Sequence, residues 1–214
     1  MLKTERMDRV RAALRAQGLT QMIVCDPKSV WYLTGVAVEP YERLFAFYLR
    51  RDGHHKLFLN RLFNVPEPPC RTVWHTDTDK PVAQIAEVVD AGRPLGIDKE
   101  WPAKFLIPLM ETHPGMQVVL SSDCVDDCRA CKDAEEQTLM REASRINDAV
   151  NEAAKHYIKA GMTEREVAEF IDAQYRAHGC EGPSFTTIVS FGANAADPHH
   201  EPDVRAWVAT CAFC

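Results

Sequence analysis

The stretch from Gly182 to Asp203 reads GPSFTTIVSFGANAADPHHEPD. Its opening run, Phe185 to Phe191, is dominated by β-branched and aromatic residues and predicts a β-strand. Residues 192–194, Gly-Ala-Asn, suit a tight exit from a strand because Gly and Asn tolerate positive φ. A proline-braced pair, His199 and His200, follows. Such a pair can place a proton donor or a metal ligand in a cleft, although a solvated surface pair is the simpler interpretation.

Two helical patterns precede this stretch. The first runs from Asp133 to Ala160, with apolar residues every three or four positions and an Asp-x-x-Glu capping box at its start. We expect this long apolar stripe to lie on a sheet. The second opens with the capping box Thr163-x-x-Glu166 and ends at Gly179. Charged residues lie mainly off the apolar stripes, which indicates solvated faces.

Strand and helix patterns alternate in the earlier part of the chain. Runs of β-favouring residues predict strands at Leu19–Cys25, Leu44–Arg50, Lys56–Asn60, Cys70–His75, Leu95–Asp98 and Met116–Leu120. Helical spacing predicts helices at Thr4–Gln17, Val30–Gly35, Pro81–Asp90 and Ala103–Thr112. Asp52-Gly53 suits the primed turn of a hairpin. The alternation predicts a mixed α/β sheet with helices on its faces, and no glycine-rich phosphate motif supports a dinucleotide fold.

As a set, these motifs resemble the pita-bread metallopeptidases, which comprise the Xaa-Pro dipeptidases, the Xaa-Pro aminopeptidases and creatinase. Residues 184–199 fit the pattern SFxTIVxxGxNxxxPH of that family. In the earlier part, Trp31–Gly35 (WYLTG), Glu42–Leu44 (ERL) and Leu95–Asp98 (LGID) resemble the creatinase/prolidase N-terminal domain.

The resemblance implies an α/β fold with two domains. We expect a mixed-sheet creatinase/prolidase-type N-terminal domain at residues 1–128, followed at residues 129–214 by the incomplete start of a pita-bread α+β catalytic domain. In relatives the N-terminal domain caps the active site and helps to form a dimer. The implied activity is metal-dependent hydrolysis of the Xaa-Pro bond in a proline-containing dipeptide or short peptide.

The resemblance also assigns roles to the two histidines. His199 matches the family histidine that contacts the substrate and steadies the tetrahedral intermediate, and His200 is a further candidate for substrate binding. The family mechanism uses two divalent metals (Mn, Co or Zn) held by two Asp, a His and two Glu, which activate a bridging water. Its first Asp follows the histidine loop in a GDxVxxDxG strand, whereas no Asp or Glu occurs here after Asp203.

We therefore expect a truncated or frame-shifted member that binds no metal and has no peptidase activity alone. A non-enzymatic dimerisation or binding module, or a remnant of a creatinase- or lyase-type relative, is the alternative. Asp197, Glu201 and Asp203 beside the histidines offer a weak local metal site, with surface polarity as the simpler interpretation.

The cysteine spacing and the net charge limit which metal sites, partners and cellular compartments we expect. Cys128-x-x-Cys131, close to Cys124, and Cys211-x-x-Cys214 offer four thiolates for zinc, but the gap between the pairs is far longer than in a zinc ribbon, which favours coincidence. The net charge of −6 and the absence of a basic stripe argue against nucleic-acid and anionic-membrane partners. The N-terminus is not a signal peptide, so we expect a cytoplasmic protein with free thiols.

Overall fold

The computed structural model describes residues 2–204. The chain divides into two compact units, Met1–Lys132 and Asp133–Cys214. The domain boundary after residue 128 stays a prediction. Among the described residues, no helix combines the length and the apolar character needed to cross a membrane.

The first unit is built on a six-stranded mixed sheet with the order β4-β3-β2-β1-β5-β6. Its strands are β1 Gln21–Val24, β2 Ala46–Arg50, β3 Lys56–Asn60, β4 Thr72–His75, β5 Leu95–Ile97 and β6 Val118–Leu120. The strands β1, β5 and β6 run parallel, as do β3 and β4, whereas β2 pairs antiparallel with β1 and β3. The predicted hairpin is confirmed, since Tyr48 pairs with Lys56 and Gly53 supplies a φ of 88° in the turn.

Helices cover both faces of this sheet, as predicted. They are α1 Thr4–Ala16, α2 Pro27–Thr34, α3 Pro81–Ala86, α4 Ala103–Thr112 and α5 Asp123–Ala130. Successive residues of β1 point to opposite faces, so Met22 joins the apolar cluster that includes α1, α2 and α5, while Ile23 joins the cluster that includes α3 and α4. A sheet buried on both faces explains why strands β1, β2 and β3 read as nearly continuous apolar runs.

Helix α5 is absent from the helices predicted from the sequence. Cys124, Val125 and Cys128 are buried against the first unit's core, a face too short for its periodicity to stand out. Burial raises the pKa of the Cys124 thiol to about 11, and Cys131 is exposed. Among residues 2–204, no cysteine belongs to a group of three potential metal ligands whose donor atoms lie close together, and Cys211 and Cys214 lie outside the described residues.

The second unit contains two helices, α6 Ala134–Tyr157 and α7 Glu164–Ala177. Both predicted capping boxes are present, on Asp133 and on Thr163. The rings of Tyr157 and Phe170 stack with centroids 3.8 Å apart. A small core of Val167, Ala168, Val189 and Phe191 closes the unit.

Two expectations for this unit were wrong. The run Phe185–Phe191 is not a strand: it has no ladder partner among residues 2–204, although Val189 and Phe191 are buried. β-propensity alone does not make a strand without a neighbour to pair with. The stripe of α6 is buried only at Val150 and Ala154, and Leu139 near its start is 64% exposed.

Candidate functional site

The candidate site centres on Glu164, the first residue of α7, whose side chain is fully buried. Its Oε1 accepts hydrogen bonds from the backbone N–H of Phe191 at 2.6 Å and from Nδ2 of Asn194 at 3.0 Å. Its Oε2 lies 2.7 Å from Nε2 of His200 and accepts the backbone N–H of Asp203 at 3.1 Å. One carboxylate thus contacts four residues of the segment that carries the histidines.

These contacts set the ionisation of the carboxyl group. Burial alone would raise the pKa of Glu164, but hydrogen bonds from Phe191, Asp203, His200 and Asn194 outweigh burial and lower that pKa to about 2. The position at a helix N-terminus also favours negative charge. Glu164 is therefore a buried, ionised acceptor at neutral pH.

The histidine loop, residues 191–203, contains a short 3₁₀-helix, Gly192–Ala196. The carboxylate of Asp197 accepts the backbone N–H of His199 at 2.9 Å, and the backbone N–H of His200 donates to the Asp197 carbonyl at 3.3 Å. The two imidazoles then diverge. His200 is turned toward Glu164, whereas His199 is exposed and its imidazole has no hydrogen-bond partner within residues 2–204.

The structure brings together only part of the local metal cluster considered from the sequence. Among the described residues, one group of three potential metal ligands has its donor atoms within 4.8 Å of one another. The group consists of Glu164, His200 and Asp203. Asp197 and Glu201 are not part of this group. Both are exposed, so the weak local metal site that the sequence offers is not assembled as one group, and surface polarity remains the simpler interpretation of Asp197 and Glu201.

The hydrogen-bond donors around the Glu164 carboxylate do not suit a bound cation. Two backbone N–H groups and the Asn194 amide point their hydrogens at its oxygens, so an ion bound there would face positive dipoles and leave buried N–H groups unpaired. Nor do these three residues match the two Asp, one His and two Glu that the family resemblance implies. This group, taken from the part of the chain that the structure describes, therefore does not fit a dinuclear metal centre.

Sequence reasoning missed Glu164 and Asn194. A Glu directly after the helix-capping Thr163 is normally a solvated residue that favours the helix dipole, and Asn194 was interpreted as a turn former. Nothing in the local pattern distinguishes Glu164 from the exposed Glu166, because the difference is made by a loop that arrives from residues 191–203.

Each of the two units matches a known protein family. Residues 6–131 match the Creatinase/Prolidase N-terminal domain, and residues 138–210 match Metallopeptidase family M24. An uncharacterized peptidase of Staphylococcus aureus (strain bovine RF122 / ET3-1) is 31% identical over 191 residues, which are 85% of this chain and 52% of that protein. The chain thus spans about half the length of this curated relative.

Solved structures agree with this placement. The dipeptidase PepE from Mycobacterium ulcerans superposes with a TM-score of 0.86 at 26% identity, over 98% of this chain and 58% of that one. A prolidase from Thermococcus sibiricus superposes with a TM-score of 0.88 at 25% identity, over 100% of this chain and 60% of that one. The chain therefore belongs to the creatinase/prolidase family of metallopeptidases, with a creatinase/prolidase N-terminal domain followed by a family M24 segment.

Proposed function

We propose that this chain serves Xaa-Pro peptidase chemistry and that His199 is the residue that contacts the substrate. The observation that supports this most is the exposed imidazole of His199 on a loop that is bonded at several points to the buried carboxylate of Glu164. Similarity to a dipeptidase and a prolidase supports the same reaction class. The substrate is a proline-containing dipeptide or short peptide.

The chemistry assigned to His199 is that of a hydrogen-bond donor. An imidazole N–H held near the scissile carbonyl stabilises the negative charge that develops on its oxygen in the tetrahedral intermediate. Such a donor is effective only where its position is fixed before the substrate arrives, because reorganisation in the transition state would cost part of the benefit.

Hydrolysis itself needs more than this loop. In the family, two divalent cations (Mn, Co or Zn) supply the activated water, and the described residues of this chain do not fit that centre. We therefore expect the 214-residue polypeptide by itself to release no proline from Xaa-Pro substrates.

A chimera tests the role of His199 without requiring this chain to be active. Residues 138–203 would replace the matching stretch of the dipeptidase PepE, and the chimera would be assayed for dipeptide hydrolysis. We expect His199→Ala to lower kcat about 100-fold or more with little change in KM, the usual cost of losing one oxyanion donor. His178→Ala, an exposed histidine in the same segment, is the matched control. An active chimera whose kcat is unchanged by His199→Ala would exclude the proposed role.

A second candidate is a non-enzymatic dimerisation module, favoured by exposed apolar side chains on α6. Leu139 and Met140 are neighbours in the sequence and are 64% and 56% exposed, and contiguous exposed apolar surface marks protein–protein contact sites. Light scattering on the purified chain separates the candidates. A monodisperse dimer that Leu139→Lys converts to a monomer supports the module, whereas a monomer or heterogeneous aggregates exclude it.

A further inference from the structure

We infer that Glu164 is the positioning residue of the histidine loop and that His200 is a contact to this carboxylate, not a contact to substrate. The inference rests on the proposed substrate contact by His199. It assigns to α7 the task of fixing that residue in place.

The contacts of Glu164 span the whole loop. Phe191 donates its backbone N–H at the start of the loop, and Asp203 donates its own at the end. A further backbone bond, from the N–H of Arg165 to the carbonyl of Asp203 at 3.1 Å, ties the loop end to the same turn of α7. One turn of helix therefore fixes both ends of a loop whose middle carries His199.

Two side chains within the loop converge on the same carboxylate. Nδ2 of Asn194 lies 3.0 Å from Oε1 and 3.2 Å from Oε2 of Glu164, and also 3.0 Å from Nε2 of His200. An amide nitrogen and an imidazole nitrogen both face the oxygens, so the carboxylate specifies the direction of each. A buried apolar residue in place of Glu164 would fill the volume but fix none of these directions.

The same geometry separates the roles of the two histidines. Nε2 of His200 is engaged by Glu164 at 2.7 Å, and the side chain is only 17% exposed. That nitrogen is not available to a substrate. Because His199 is the neighbouring residue, holding His200 inward sets the direction in which His199 leaves the backbone, toward solvent.

The test uses the full chain and its isosteric variant Glu164→Gln. A glutamine keeps the shape but has one acceptor oxygen, so its NH₂ group would face N–H donors. The control is Glu166→Gln, two residues along the same helical turn, where the carboxylate is exposed and bonds only to Thr163 among residues 2–204.

The first readout is the NMR signal of the His200 imidazole N–H, assigned by its loss in His200→Ala. We expect it to be protected from solvent exchange in the wild type and in Glu166→Gln, and absent in Glu164→Gln. The second is the backbone order parameter of residues 192–203, which should fall from about 0.85 to below about 0.6 in Glu164→Gln only. Unchanged order in Glu164→Gln would overturn the inference.

Two further variants keep the test decisive. If Glu164→Gln unfolds the second unit, His200→Ala removes one contact only, and increased mobility confined to residues 198–203 supports the inference, whereas unchanged mobility contradicts it. Glu164→Asp retains the charge on a shorter side chain and should restore part of the lost order. If it restores no more than glutamine does, the carboxylate is not what orders the loop.

The outcomes separate this inference from the proposed function, because loop order is measured without substrate. In one outcome, loop order depends on Glu164 while His199→Ala leaves the kcat of the chimera unchanged. This result would contradict the substrate role of His199 and support the positioning role of Glu164. If His199→Ala abolishes turnover while the loop of Glu164→Gln stays ordered, only the positioning role fails.

Discussion

Glu164 and His200 are 36 residues apart in the sequence, and Oε2 of the carboxylate lies 2.7 Å from Nε2 of the imidazole. The contact joins the first residue of a helix to a loop with no regular pairing among the described residues. The second unit therefore depends on a polar contact at its centre as well as on its small apolar core.

Acid should weaken the second unit through Glu164. Its folded pKa is lowered from 4.5 to about 2, so the stability that it contributes is present above about pH 4.5 and is lost as the pH falls through about 2. The loss is on the order of 3 kcal/mol, since one pKa unit corresponds to about 1.4 kcal/mol. The melting temperature of the α7 amide signals in NMR, measured from pH 6 to pH 2, checks this. The melting temperature of Glu164→Gln should depend less on pH than that of the wild type. An equal pH dependence of the two proteins would contradict this prediction.

The first unit should respond to pH in the opposite direction because of Asp98. Burial raises the pKa of this carboxyl from 3.8 to about 6, despite hydrogen bonds from the backbone N–H groups of Asp26, Cys25 and Glu100. The protonated form is favoured by folding, so this contribution is present below about pH 3.8 and is lost as the pH rises through about 6.

The variant Asp98→Asn isolates this effect. The stability of the wild type relative to the variant should decrease by about 2 kcal/mol between pH 4 and pH 6. The fluorescence of Trp101 reports on the same unit, because its ring is buried and its Nε1–H donates to the carbonyl of Ile23 at 3.2 Å. A pH-independent difference between the two proteins would show that Asp98 does not titrate in this range.

Phe191 should be far more important for stability than Phe185, although both lie in the same β-favouring run. Phe191 is fully buried in the core of the second unit, whereas Phe185 is 71% exposed. Phe191→Ala should cost about 3–5 kcal/mol and Phe185→Ala less than about 0.5 kcal/mol. Chemical denaturation followed on the α7 amide signals measures both. Equal losses would contradict the described packing.

The cysteines of α5 should differ in reactivity. Burial raises the pKa of Cys124 and of Cys128, while Cys131 is exposed. Because the thiolate is the reactive form, iodoacetamide at neutral pH should modify Cys131 well before Cys124 and Cys128. Peptide mapping by mass spectrometry shows the order. Protection of Cys128 and Cys131 by added zinc would instead revive the metal site considered from the sequence.

Local signals in the sequence were sufficient for most of the first unit. The Asp52-Gly53 turn fixed a hairpin, and the Ser/Thr/Asp-x-x-Glu patterns fixed two helix starts, because each of these structures is determined by a few neighbouring residues. The resemblance to the pita-bread metallopeptidases then predicted the succession of two domains and the histidine loop.

The failures have one physical origin, which is dependence on distant residues. The run Phe185–Phe191 has strand propensity but no pairing partner among residues 2–204. Glu164 resembles any first-turn carboxylate until a segment 27 to 39 residues later folds onto it. The exposed start of α6 could not be anticipated either, because periodicity predicts an apolar stripe and not what covers it.

Proline release from Xaa-Pro dipeptides decides whether this polypeptide is active by itself. The purified 214-residue polypeptide would be incubated with Mn²⁺, Co²⁺ or Zn²⁺ and assayed for free proline, with the prolidase from Thermococcus sibiricus as the positive control. We expect no release above that of a heat-denatured sample, since the metal-ligand candidates among the described residues do not fit a dinuclear centre. Metal-dependent release that a chelator abolishes would contradict this expectation.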